Sequence, residues 1–308
     1  MLTIYKTTEQ GLEEIESMSN GAWIKVIDPT PDEIEKLVNW GIDVDYINYS
    51  LDFDEMPRME RDEDYTFILI RIPHSQPEHD IPYVTIPLGI MIKSNFIVTI
   101  CRYDKDMFKV LSNGKYRMLK TAKRYRFALY IFLETATRYL THLREINRAT
   151  EAIEDQLQKS TRNREVLELL RYQKSLTFFA TALRSNEVMM ERVQRTQIFS
   201  YYEEDQDLLE DVLTENQQAI QMTSINTEIL SSMMDAFASI ISNNLNGVMK
   251  VLAALTIILN LPTIVAAFYG MNVNLPGDEL EHAFLMVVGL AVALTAIATY
   301  IFYKRDWF

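Results

Sequence analysis

Val251–Tyr269 reads VLAALTIILNLPTIVAAFY, and Ala283–Tyr303 reads AFLMVVGLAVALTAIATYIFY. Neither stretch contains Asp, Glu, Lys, Arg or His. At ~1.5 Å per residue the second is roughly 31 Å long, the thickness of a bilayer's hydrocarbon core. Buried core helices of that length usually carry charge at their edges, so two membrane spans are expected, at about 248–269 and 283–303. The N-terminal MLTIYKTTEQ lacks an apolar h-region and does not resemble a signal peptide. Lys250 precedes the first span and Lys304-Arg305 follow the second. The connecting stretch 270–282 has three acids and no Lys or Arg. The positive-inside rule then places both termini in the cytoplasm.

The remainder of the 308 residues is strongly acidic. The chain carries 30 Lys+Arg against 43 Asp+Glu, a formal net charge of −13, and nearly all of these lie before position 248. Such a balance argues against nucleic-acid binding, which needs a basic face. The single cysteine, Cys101, excludes a disulfide framework and fits a reducing cytosol. Four scattered histidines show no zinc spacing. No Gly-rich phosphate loop, G-x-S-x-G or nucleophile–base pair is visible, so an enzyme is not expected.

Residues 1–113 read as a cytosolic α/β domain. Ala22–Asp28, Tyr65–Ile72, Val84–Ile92 and Phe96–Cys101 are rich in β-branched and aromatic residues and bounded by turn formers. Thr30-Pro31-Asp32-Glu33 has the pattern of a helix start. Residues 114–247 are nearly free of Gly and Pro and read as a long-helix stalk, followed by a two-helix transmembrane domain over 248–308. Breaks at Ser160–Asn163 and near Ser200–Tyr202 predict helices over 115–159, 163–199 and 204–270. The last runs into the first membrane span.

One face of that last helix is unsuited to a core. Stepping by four and three gives Asp235, Ser239, Ser242, Asn246, Met249, Ala253, Thr256, Asn260, Thr263 and Ala267. Backwards, the same stripe reads Asp211, Thr214, Gln218, Gln221, Ile225, Glu228 and Ser232. A coiled-coil seam would be Leu and Ile here. Within the span, Thr256, Asn260 and Thr263 share one face. Polar groups at membrane depth serve either as hydrogen-bonding glue between helices or as the wall of a water-filled cavity. Continuation of the stripe to Asp235 favours an aqueous axis. Two spans cannot enclose a pore, so several copies would surround it. Asp235 would then form a ring of carboxylates that attracts cations, and Met249 with Leu252 an apolar constriction. The second span is expected outside, with Gly289, Ala293 and Ala296 packing on the first.

The first span ends in Tyr269-Gly270-Met271-Asn272. Placed after a very long helix and an acidic α/β domain, and before a short acidic loop and a second span, this Gly-Met-Asn resembles the signature of the CorA family of magnesium transporters. Asn246–Leu252 and the terminal Lys304-Arg305-Asp306-Trp307-Phe308 also resemble family segments. The resemblance implies a funnel-shaped homopentamer: an α+β cytosolic domain, very long helices and two C-terminal transmembrane helices in the plasma membrane. It implies that Gly270, Met271 and Asn272 form an outer selectivity filter. It places Asn246, Met249 and Leu252 in the inner pore and gate, and makes Asp235 a metal-attracting ring. Thr256, Asn260 and Thr263 complete the pore lining. Asp211 falls where the family holds regulatory Mg²⁺ between subunits, with Asp45, Asp52 and Asp54 as nearby acids. Asn260 departs from the family pattern, which favours an apolar residue there. The implied activity is channel-like transport of Mg²⁺, gated by cytosolic Mg²⁺, with no organic cofactor. Intact Gly-Met-Asn favours Mg²⁺, then Co²⁺ and Ni²⁺, over Zn²⁺. As bare chain geometry, Gly270 and Asn272 also suit a helix C-cap. The alternatives are a membrane-anchored coiled-coil structural or signalling protein, from a different class, or transport of another divalent ion, Co²⁺, Ni²⁺ or Zn²⁺.

Overall fold

The computed structural model describes residues 1–9, 11–103, 107–112, 116, 119–159, 163–200, 202–271 and 282–307. Seven strands form one sheet: β1 (Leu2–Thr8), β2 (Gly11–Ile15), β3 (Ala22–Ile27), β4 (Arg58–Arg61), β5 (Tyr65–Ser75), β6 (Tyr83–Lys93) and β7 (Phe96–Cys101). Their order is β2-β1-β3-β7-β6-β5-β4. The β3–β7 pair is parallel and every other pair antiparallel. The central strands are apolar on both faces because both are covered. Ile68, Ile70 and Ile72 point into one cluster, and Phe67 and Leu69, offset by one residue, into the other.

Two short helices cover one face. Helix α1 (Pro31–Asn39) starts with the expected cap: the Thr30 side chain accepts from the Glu33 amide, and the Glu33 carboxylate accepts from the Thr30 amide. Helix α2 (Val44–Leu51) lies close on β6, where a Cβ at Gly89 would meet the Ser50 hydroxyl at 1.8 Å. Only glycine fits that contact.

The opposite face carries the long helices. After α3 (Met107–Ser112), α4 spans Arg124–Lys159 and α5 spans Asn163–Arg195. Along α4, buried Phe127, Ile131, Thr135, Tyr139, Leu143, Ile146, Thr150 and Ile153 recur every three or four residues, one helical stripe. Helix α4 begins at Arg124 rather than near 115, because a turn in which Lys123 N–H bonds to Lys120 O precedes it. Gln197, at φ 56°, ends the run of α5 in the left-handed region, and a 3₁₀ turn at Ile198–Ser200 follows.

Helix α6 (Glu203–Tyr269) has 67 residues, and α7 spans Ala283–Lys304. The chain divides into two compact units, Met1–Met233 and Met234–Phe308. In the first, α6 buries Asp205, Leu209, Val212, Asn216, Ala219, Thr223, Asn226, Leu230 and Met233, again by fours and threes. Its asparagines are satisfied by the neighbouring helices and its threonine by its own: Asn216 Nδ2 donates to Leu183 O on α5 at 3.4 Å, Asn226 Nδ2 to Leu143 O on α4 at 3.1 Å, and Thr223 Oγ1 to Ala219 O at 2.7 Å.

Candidate functional site

The polar stripe and the packed stripe of α6 are different faces of one helix. Within the first unit, Asp211, Thr214, Gln218, Gln221, Ile225, Glu228 and Ser232 are all exposed. They lie away from the stripe that α4 and α5 cover.

Within the second unit the same separation holds. Val251, Ala254, Ile258, Leu261 and Val265 are the buried or half-buried residues of the span. At ~100° per residue they centre roughly 170° away from Thr256, Asn260 and Thr263. Candidate pore residues Asp235, Asn246, Thr256, Asn260 and Thr263 are exposed, and Met249 and Leu252 are 55% and 56% exposed. The large apolar side chains Leu245, Val248, Met249 and Leu252 stand open together, an apolar area that a single chain in water does not normally leave uncovered.

The threonines of the span are anchored. Thr256 Oγ1 donates to Leu252 O at 2.8 Å, and Thr263 Oγ1 to Leu259 O at 3.3 Å. Each hydroxyl proton is therefore spent on its own helix, which leaves oxygen lone pairs as the outward-facing groups. A surface of acceptors matches a hydrated cation, whose waters present protons. Pro262 lies within the helix and lines the groove on the α7 side with Val265 and Ala266. Its missing N–H therefore affects the packed side and not the stripe.

Helix α7 packs through Ala283, Val287, Ala291, Thr295, Ala298 and Phe302, its half-buried residues. This corrects the expectation for Gly289 and Ala293, which are exposed; a Cβ on Gly289 would meet nothing within 4 Å, whereas Ala296 lines the groove shared with Pro262, Val265 and Ala266. The seam recurs by fours and threes and mixes the small Ala283, Ala291 and Ala298 with Val287, Thr295 and Phe302, a register displaced from the glycine. Beyond α7, Trp307 stacks on Phe302 with centroids 5.1 Å apart, and its N–H bonds to Phe302 O at 3.1 Å. Trp307 and Asp306 line a groove of about 780 Å³ with Asn243, Gly247 and Lys250, next to the start of the first span.

At the other end of the span, Gly270 N–H bonds to Ala266 O at 2.9 Å and Met271 N–H to Phe268 O at 3.3 Å, so the chain is still turning as the helix closes. Met271 is exposed. Asn272 lies outside the described residues, as do the acids Asp278, Glu279 and Glu281. Among the described residues of one chain, no three His, Cys, Asp or Glu side chains converge to hold a metal. Asp211, Asp235, Asp45, Asp52 and Asp54 are exposed.

Sequence reading missed the charged cluster at the foot of α6, where Arg126 on α4 pairs with Glu204 and Asp205. The partners are 78 and 79 positions apart, and no local pattern links them.

The chain's relatives agree with this architecture. The sequence profile described as "CorA-like Mg2+ transporter protein" matches residues 19–305. The cobalt/magnesium transport protein CorA of Methanocaldococcus jannaschii is 33% identical over 297 residues, covering 92% of this chain and 90% of its own. The protein of that name from Thermotoga maritima is 23% identical, covering 98% of this chain and 88% of its own. The complete structure of the CorA magnesium transporter from Methanocaldococcus jannaschii superposes with a TM-score of 0.86 at 28% identity, over 100% of this chain and 99% of that one. With two apolar C-terminal helices, a 67-residue helix with one polar face and a match across nearly its whole length, this chain belongs to the CorA-like Mg²⁺ transporter family.

Proposed function

We propose that this chain conducts hydrated divalent cations, chiefly Mg²⁺ and also Co²⁺, across the plasma membrane as a funnel-shaped homopentamer with both termini in the cytoplasm. The observation that carries this reading is the polar stripe of α6, which runs through the span on the face turned away from α7. Five copies around an axis turn Asp235 into a carboxylate ring, and Asn246, Thr256, Asn260 and Thr263 into rings of hydrogen-bonding groups. Met249 and Leu252 form an apolar constriction that closes by dewetting.

Mg²⁺ gives up its waters reluctantly. A path lined by acceptors at the ends of Thr and Asn side chains carries the ion with its water shell and avoids that cost. Gly270, Met271 and Asn272 form the outer filter, where the Asn272 carboxamide oxygens meet the waters of the incoming ion. Asp211 holds regulatory Mg²⁺ between subunits. The bound ion ties neighbouring protomers together and favours the closed pore by binding that state more tightly.

The test is uptake of Mg²⁺ into liposomes containing the purified chain, with Co²⁺, Ni²⁺ and Zn²⁺ as competitors. Saturable Mg²⁺ influx inhibited by Co²⁺ is expected. Protein correctly inserted and assembled, yet with no cation flux at any internal Mg²⁺ level, would leave the spans as a mere anchor.

A further inference from the structure

The end of α7 is a defined structure and not a loose tail. Asp306 N–H bonds to Tyr303 O at 3.2 Å and Trp307 N–H to Phe302 O at 3.1 Å, the paired bonds that close a helix through one left-handed residue. That residue is Asp306, at φ 52°, where glycine is usual. The reversal lays the Trp307 ring on Phe302 and brings it, with Asp306, to the groove of about 780 Å³ beside the start of the first span.

This groove is amphipathic along its length. On α6 its wall runs from Asn243 and Asn244, past Lys250, to Val251, Leu252 and Leu255 inside the span. Three cations mark this end of the two helices, Lys250, Lys304 and Arg305, against the single acid Asp306. All four are exposed, and none makes an ion pair among the described residues. The groove is also turned away from the polar stripe. At ~100° per residue its α6 residues centre roughly 170° from Asn246, Met249 and Thr256. Copies gathered around the stripe therefore leave the groove on the lipid side.

We propose that this groove holds one anionic phospholipid of the cytoplasmic leaflet. The phosphate sits at Lys250, with Lys304 and Arg305 at the rim, and an acyl chain runs past Val251 and Leu255 into the bilayer. Positive charge meets negative headgroup, and the apolar wall meets the chain. Trp307 lies at headgroup depth, where amphipathic rings settle, and the closed helix end holds it there. The inference rests on the reading that α6 and α7 cross the membrane with their charged ends in the cytoplasm, and not on which ion is carried.

Native mass spectrometry of the full-length chain in detergent reads bound lipid directly. The probes are dioleoyl phosphatidylglycerol, dioleoyl phosphatidylcholine and the soluble headgroup fragment glycerol 3-phosphate. Phosphatidylglycerol is expected to bind about tenfold more tightly than phosphatidylcholine, and glycerol 3-phosphate far more weakly than either. Lys250→Gln should weaken phosphatidylglycerol about fivefold and phosphatidylcholine little. Gly247 also lines the groove, and a Cβ there would meet nothing within 4 Å. Gly247→Leu therefore fills the groove without changing its charge, and should weaken both lipids severalfold with the lipid-free melting temperature no lower. If Lys250→Gln melts lower, Gly247→Leu carries the test. Equal binding of the two phospholipids, glycerol 3-phosphate binding as tightly as phosphatidylglycerol, or unchanged phosphatidylglycerol affinity in a stably folded variant would overturn the proposal. Mg²⁺ uptake into liposomes of phosphatidylcholine alone is read separately. Uptake without a lipid preference removes the lipid site and keeps the pore; a lipid preference without uptake does the reverse.

Discussion

Asn186 on α5 and the backbone of Arg71 on β5 exchange two hydrogen bonds. Arg71 N–H donates to Asn186 Oδ1 at 2.9 Å, and Asn186 Nδ2 donates to Arg71 O at 2.8 Å. The side chain takes the place of a strand. Pairing with β4 stops at Arg58 opposite Leu69, and the residue opposite Arg71 on β6 is Pro87, which has no N–H. Tyr139 on α4 donates to the same carbonyl at 2.9 Å, so two helices are tied to the sheet at one peptide.

Replacing Asn186 should therefore cost more than its size implies. Asn186→Leu keeps the volume but strands the Arg71 amide, and is expected to lower stability by about 2 kcal/mol. Thermal or denaturant melting in detergent measures it. A loss below ~0.5 kcal/mol would mean that water satisfies the amide instead.

The stripe on α6 should be wet along its length. Cys101 is buried, so background labelling by thiol reagents is low, and Cys101→Ser removes it. Single cysteines at Ser239, Asn246, Thr256 and Asn260 are expected to react quickly, and at Ile257 and Ile258 roughly tenfold more slowly, as an apolar setting raises a thiol pKa by about one unit. Stripe positions should also cross-link between identical subunits. Fastest labelling on the Ile257–Ile258 side would show that the stripe is glue between helices.

Asn272→Ala should reduce Mg²⁺ uptake by about tenfold or more, the loss expected when a charge-assisted hydrogen bond is removed, while the oligomer still assembles by size-exclusion chromatography. Wild-type flux through that variant would remove Asn272 from the filter.

Asp211→Ala should leave transport running at internal Mg²⁺ levels that silence the parent, with the inhibition midpoint raised severalfold. Inhibition titrated by internal Mg²⁺ in liposomes reads this directly. An unchanged midpoint would make Asp211 an ordinary exposed acid.

Much of the fold was legible because local chemistry decides it. The apolar runs of β3, β5, β6 and β7, the Thr30–Glu33 box and the start of α5 at Asn163 each announce themselves within a few residues. β1, β2 and β4 did not. Their residues alternate or are polar, as in LTIYKTT and RMER, and they are strands because neighbours pair with them. The packing of α7 was also misread, since small residues occur on more than one of its faces and only the crossing of two helices selects among them.

From the sequence alone came the two apolar C-terminal helices, the great length of the helix that holds the first of them, and the Gly270-Met271-Asn272 motif. All are one-dimensional properties: hydropathy, composition, spacing by three and four. The tertiary structure decided which face of α6 is covered. Asn216, Thr223 and Asn226 look as polar in sequence as Gln218 and Gln221, yet the first three are buried and hydrogen-bonded while the other two are open. Whether a polar side chain is packed or free depends on a partner that is distant in the chain, such as Leu143, Leu183 or, for Asn186, the backbone of Arg71. The same holds for Arg126, whose two carboxylates and one unpaired nitrogen exist only once α4 and α6 meet.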